Sequence, residues 1–167
     1  MSDVYLLDTN IISPALDKQN HNHSRVRNFL DSLHGSIITV SVITLAEIEY
    51  GLRTAPGMDT GRQTAIRSAL AAFPLVRDIT RHTIEYYAEL RAQLFNQYSP
   101  RDRRHRRTKY VEDLTEHTTE KELGIKENDL WIAAQSLEWN CVLVTNDAMP
   151  RIMSLKIEPS IRAISVK

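Results

Sequence analysis

Short apolar runs alternate with amphipathic stretches along this chain, and that alternation constrains its fold more than any other feature. The runs at 4–8 (VYLLD), 37–41 (IITVS), 141–145 (CVLVT) and 161–166 (IRAISV) read as strands, being short and apolar, and IITVS is rich in β-branched residues. Residues 24–35 carry Val26, Phe29, Leu30 and Leu33 at helical spacing, with Ser24 as a candidate cap and Gly35 as a stop. Directly after IITVS, Thr44 and Glu47 match a capping box and Gly51 a C-cap. A helix is predicted over 60–73, with Ile66, Leu70 and Phe73 on one face, and LVRDI (75–79) allows a further short strand. From Thr80 a long helix carries Ile84, Tyr87, Leu90 and Leu94 in a stripe. NDLWIAAQSLEW (128–139) predicts another helix, and AMPRIMSL only a short one, because Pro150 suits just a first turn. Strands separated by helices predict the α/β class, with a mostly parallel central sheet and helices on both faces.

The chain has 167 residues, about one domain by length and enough to bury a core without covalent staples. No apolar run is long enough to span a bilayer, and Asp3 and Asp8 interrupt any signal-peptide pattern. The single cysteine, Cys141, has no partner for an internal disulfide and reads as a small buried hydrophobe. A cytoplasmic location and no membrane association are expected. The formal net charge is zero, but the charges are segregated: RDRRHRRTK (101–109) carries six Lys/Arg against one Asp, and 111–122 is mostly acidic.

The first strand runs straight into Asp8, and a carboxylate there is costly to desolvate unless something pairs with it. In a parallel sheet, sites lie outside the carboxyl ends of the strands. That edge receives Asp8 and Asn10 from the first strand and Asp147 from the end of CVLVTND. Glu47 stands in the first turns of the helix after IITVS, and Asp129 opens the helix NDLWIAA. Each acid has a structural role open to it: Asp8 as a helix cap, Glu47 in a capping box, Asp129 at a helix N-terminus, Asp147 in a turn. Singly those roles win, but they leave unexplained why four acids share one edge. Four close carboxylates repel, and a hard divalent cation with oxygen ligands resolves the repulsion. Such a metal serves phosphoryl chemistry without a serine or cysteine nucleophile, and the chain has no G-x-S-x-G or HExxH pattern.

In three extended blocks the chain resembles the PIN-domain ribonucleases, and within them the VapC-type toxins of toxin–antitoxin pairs. LLDTNIIS (6–13), SVITLAEIEYGL (41–52) and ENDLWIAAQSLEWNCVLVTND (127–147) look like the family's motifs in order. The resemblance runs from Val4 to about Met153, apart from the charged block. It implies one PIN-like domain over 1–167, a three-layer α/β/α sandwich with a charged insertion at about 98–124. It implies a Mg2+- or Mn2+-dependent endoribonuclease that cleaves structured cellular RNA as a type II toxin. Asp8, Glu47, Asp129 and Asp147 would form its site, with Asp8 and Asp129 as direct metal ligands. Glu47 and Asp147 would bind through water, bind a second metal or orient the attacking water. Asn10 and Thr145 would be supporting polar groups. A homodimer and a small cognate antitoxin are implied as partners. AMPRIM lacks the acid that the family often carries after its fourth motif.

The insertion has two readings of equal weight. Arg103, Arg104, Arg106 and Arg107 could contact RNA phosphates, or the basic and acidic halves could pair on a solvated surface; a third use is as contact surface for the antitoxin. Tyr98 and Tyr110 flank it, as base-stacking platforms or as partial core. His21 and His23 read as a polar loop, and Trp131 and Trp139 as packing residues. Two other functions compete. One is a non-catalytic PIN-like domain that binds RNA or a partner. The other is a phosphatase of the haloacid-dehalogenase type, which wants a second acid where this chain has Asn10.

Overall fold

The computed structural model describes residues 3–55, 57, 59–98, 110–116 and 121–166. Contacts divide it into two compact units. The first takes the described residues of Met1–Asp78, Asn140–Asp147 and Arg162–Lys167, and the second those of Ile79–Trp139 and Ala148–Ile161.

The first unit contains a five-stranded, wholly parallel sheet. Its strands, numbered in chain order, are β1 (Val4–Leu7), β2 (Ile37–Ser41), β3 (Val76–Arg77), β4 (Val142–Val144) and β5 (Arg162–Ile164), arranged β3-β2-β1-β4-β5. Leu7 lies in register with Val40 on one side and Val144 on the other, and this row joins a core with Ile11, Ile12, Val26, Ile48, Leu52 and Ile66. Those residues come from the unit's helices: α1 (Thr9–Leu16), α2 (His23–Ser32), α3 (Val42–Thr54) and α4 (Thr60–Ala71). Each fully buried Leu or Ile contributes about 1.5–3 kcal/mol relative to exposure. The alternate row, Leu6, Thr39 and Leu143, is also fully buried. Burial of both rows in the central strands β2, β1 and β4 is what the α/β sandwich requires, whereas the edge strand β5 is exposed along its length.

Helix starts depart from the sequence expectation in two places. The α3 cap is Ser41, whose hydroxyl accepts the Ile43 N–H at 2.9 Å, so Thr44 stands inside the helix and the Thr44–Glu47 capping box does not form. Thr44 instead donates its hydroxyl to the Leu7 carbonyl of β1 at 3.4 Å, and the helix runs through Gly51 to Thr54. The cap of α2 is Asn22 rather than Ser24, and its last helical residue is Ser32, with Gly35 beyond at φ +76°. A bidentate ion pair from Arg62 of α4 holds Asp17 at the C-cap of α1. His23 opens α2, with its Nδ1 against the Pro14 carbonyl at 2.9 Å, so of the two histidines read as a polar loop only His21 lies in a turn.

The second unit is helical: α5 (Arg81–Tyr98), α6 (Glu127–Glu138) and α7 (Pro150–Met153), with Pro150 in the first turn as expected. Glu138 of α6 accepts hydroxyls from Thr80 and Thr83 at the start of α5. The Trp131 ring stacks on Tyr87 with centroids 3.8 Å apart and planes 7° from parallel, which is the packing role read from sequence. Tyr98 is buried and Tyr110 half-exposed. Arg103, Arg104, Arg106 and Arg107 lie outside the described residues.

Candidate active site

Because all five strands run the same way, their carboxyl ends share one edge, and the residues just beyond them converge there. Asp8 follows β1, Ser41 ends β2 and starts α3, Thr145 follows β4, and Ser165 follows β5. The Asp8 N–H donates to the Val144 carbonyl at 3.0 Å, so the acid emerges beside the end of β4.

The Asp8 side chain is 4% exposed. Oδ1 accepts the Thr9 N–H at 2.7 Å and caps α1. Oδ2 accepts the Thr145 hydroxyl at 2.6 Å and the Asn10 amide at 2.7 Å. The cap therefore occupies one oxygen and the side-chain donors the other. Asn10 ties the group further: its Nδ2 donates to Thr145 Oγ1 at 3.1 Å, and its Oδ1 accepts the Asn146 N–H at 2.9 Å. Burial pushes the Asp8 carboxyl above the ordinary aspartate range, opposed by the Thr145 and Thr9 donors, while the charges of Asp147 and Glu47 push the same way as burial.

Glu47 reaches this edge from α3. Thr44 is anchored to the end of β1, and Glu47 lies one turn further along the same face. The Thr9 hydroxyl donates to Glu47 Oε2. Asp147 is exposed, and its N–H donates to Thr145 Oγ1 at 3.0 Å. The structure thus brings Asp8, Glu47, Asp147, Asn10 and Thr145 into one electrostatic group. Asp129 belongs to the second unit, in the first turn of α6 with its N–H on the Lys126 carbonyl at 3.1 Å. It borders a narrow cavity lined also by Gly124, Ile125, Met149, Pro150 and Arg151. Arg151 is engaged by Tyr98 and Glu116, each at 3.2 Å.

Two residues of the edge were not singled out by sequence reasoning, Thr9 and Asn146. The available signal was that both acid-bearing triplets, DTN at 8–10 and TND at 145–147, are polar at every position.

Among the described residues, no three His, Cys, Asp or Glu side chains stand close enough to hold a metal ion as a ready-made cage. The donor set nevertheless fits a hard divalent cation. Magnesium is held by one or two carboxylates, with water and substrate oxygens completing its shell. A buried carboxylate crowded by two like charges is the group that such a cation relieves.

The chain belongs to the PIN-domain family, whose model matches residues 5–153. It is 29% identical over 157 residues to Ribonuclease VapC2 of Rickettsia felis, covering 93% of this chain and 96% of that protein. The fold is similar to that in a crystal structure of VapBC2 from Rickettsia felis bound to a promoter DNA fragment. There the TM-score is 0.68, with 24% identity and coverage of 98% of this chain and 99% of that one. A DNA-bound VapBC from Salmonella typhimurium matches over the whole of both chains with a TM-score of 0.66 and 20% identity.

Proposed function

We propose that this chain is a metal-dependent endoribonuclease and acts as the toxin of a type II toxin–antitoxin pair. The observation that carries the reading is Asp8, a buried carboxylate at the sheet's carboxyl edge whose charge Glu47 and Asp147 oppose. A structural cap gains nothing from acidic neighbours of that kind, whereas a cation-binding group does. Similarity to Ribonuclease VapC2 supports RNA as the substrate.

Asp8 and Asp129 take the role of direct ligands, the latter by its place in the family's third motif. Asn10, Thr145 and the Thr9 N–H hold the Asp8 carboxylate in one orientation. Glu47, steadied by the Thr9 hydroxyl, and Asp147 orient the water that attacks the phosphodiester. A bound Mg2+ or Mn2+ supplies charge shielding at the phosphoryl oxygens and lowers the pKa of a coordinated water. The chain acts in the cytoplasm on structured RNA, as a homodimer, and a small antitoxin restrains it, a partner that the VapBC structures support by fold. Asn10 disfavours the phosphatase alternative, because its amide already donates to Asp8 and has no proton to exchange as an acid would.

The test is cleavage of structured RNA by wild type and Asp8→Asn, purified identically, with Mg2+, with Mn2+ and with EDTA. The expected result is cleavage that needs both the metal and Asp8. Equal cleavage by wild type and variant would mean a contaminating nuclease, and that outcome, or no cleavage by either under any condition, would leave a PIN fold that binds without cutting.

A further inference from the structure

We propose that Asn146 is a positioning residue that fixes the Asp147-bearing turn to the backbone following β5. The proposal rests on the reading of Asp147 as part of a metal-dependent site. The chain leaves β4 as Thr145, Asn146 and Asp147, and the last backbone bond of the β4–β5 ladder is Thr145 N–H to the Ile164 carbonyl at 3.0 Å. Beyond that point no strand pairing guides the turn, so side chains must.

Asn146 is held from both sides. Its N–H donates to Asn10 Oδ1 at 2.9 Å, and its own Oδ1 accepts the Val166 N–H at 2.9 Å and the Ser165 hydroxyl at 3.2 Å. An asparagine kept only for turn-making bonds backbone a residue or two away. This one reaches twenty residues along the chain. Its far anchor is rigid, because Val166 is buried in the core that also holds Leu7 and Val144. Its near anchor is Asn10, whose amide is bonded to Asp8 and Thr145. Hydrogen bonds therefore run unbroken from the Val166 backbone through Asn146 and Asn10 to the Asp8 carboxylate. Asp147 is carried on the same turn, its N–H on Thr145 Oγ1. With Asn146 cut at Cβ, the turn keeps its Asn10 contact but loses the one that sets its distance from β5, and Asp147 loses its aim.

The experiment compares wild type, Asn146→Ala and Asn146→Asp as full chains. It reads Val166 amide exchange, Mn2+ affinity by calorimetry, and kcat and KM on structured RNA. Asn146→Ala is expected to speed Val166 exchange, weaken Mn2+ binding about tenfold and lower kcat by a similar factor, with KM little changed, as losses of supporting hydrogen bonds behave. Asn146→Asp keeps an acceptor for Val166 and Ser165 and should restore exchange and most of the Mn2+ affinity. Faster exchange with unchanged Mn2+ affinity would overturn the proposal, because the tether would then be purely structural. So would Asn146→Asp binding Mn2+ more tightly than wild type, which would mean that the position acts by charge. If wild type cuts no RNA, the nuclease reading fails, while the exchange and Mn2+ measurements still decide the tether.

Discussion

Thr145→Val removes one hydroxyl and nearly nothing else, so its cost can be worked from the contacts that it breaks. The hydroxyl donates to Asp8 Oδ2 at 2.6 Å and accepts from Asn10 and from the Asp147 N–H. The Asp147 N–H belongs to an exposed residue and can turn to water, and the Asn10 amide keeps its bond to Asp8. What is lost is one of three donors to a carboxylate that is 4% exposed. A hydrogen bond to a charged group contributes about 1.5–3 kcal/mol, so about 2 kcal/mol is expected at pH 7. In a chain of this size that lowers the thermal midpoint by about 4–8 °C. The pH dependence has a definite sign. The Asp8 carboxyl already titrates above its ordinary range in the folded state, and losing a donor moves it higher. A raised folded-state pKa costs stability only while the group is charged. The added penalty is therefore full above the variant's folded pKa and is gone once pH falls below the wild-type folded pKa, where both folded forms are protonated. In an Asp8→Asn background the same substitution should cost about 1 kcal/mol or less, since only a neutral bond remains to lose. Thermal unfolding in EDTA at pH 4.5, 6 and 7.5, for both single variants and the double, measures every arm. A Thr145→Val loss that is flat with pH and unchanged in the Asp8→Asn background would refute the claim that this hydroxyl supports the Asp8 charge.

Asp129→Asn should keep the fold, measured by circular dichroism, and abolish metal-dependent RNA cleavage; retained cleavage would remove Asp129 from the site. Replacing Arg103, Arg104, Arg106 and Arg107 together should weaken RNA binding and flatten its dependence on salt, whereas an unchanged slope would favour the solvated-surface reading. The Cys141 thiol, pushed up to about 11 by burial, should react with a disulfide reagent at pH 8 only as fast as the protein unfolds; prompt reaction would contradict its placement. Arg62 holds the Asp17 carboxyl below its usual range, so Arg62→Ala should lower the thermal midpoint above pH 4, and the deficit should close as pH falls through the depressed Asp17 pKa.

What could be read in the sequence is what depends on local pattern. The parallel sheet follows from short β-branched runs such as IITVS and CVLVT, whose inner residues are buried on both faces. The acids at the carboxyl edge follow once those strands are parallel. The misread helix start shows where local pattern stops. Residues 41–47 offer two overlapping caps, Ser41 and Thr44, and both satisfy the same rule. The choice is made by the Leu7 carbonyl at the end of β1, which takes the Thr44 hydroxyl and draws it into the helix. That contact spans 37 residues, and no window around Thr44 contains it. It also bears on function, because placing Thr44 on β1 sets the helix face that delivers Glu47 to Thr9. Asn146 escaped notice for the same reason: its distinguishing bond is to Val166, on the far side of β5. Asp8 teaches the complementary lesson. A cap and a site acid are rival readings of one residue in the sequence, yet a carboxylate has two oxygens. Oδ1 on the Thr9 N–H fixes the direction of the group, and that fixity holds Oδ2, with its Thr145 and Asn10 donors, in the one defined position that the proposed cation would need.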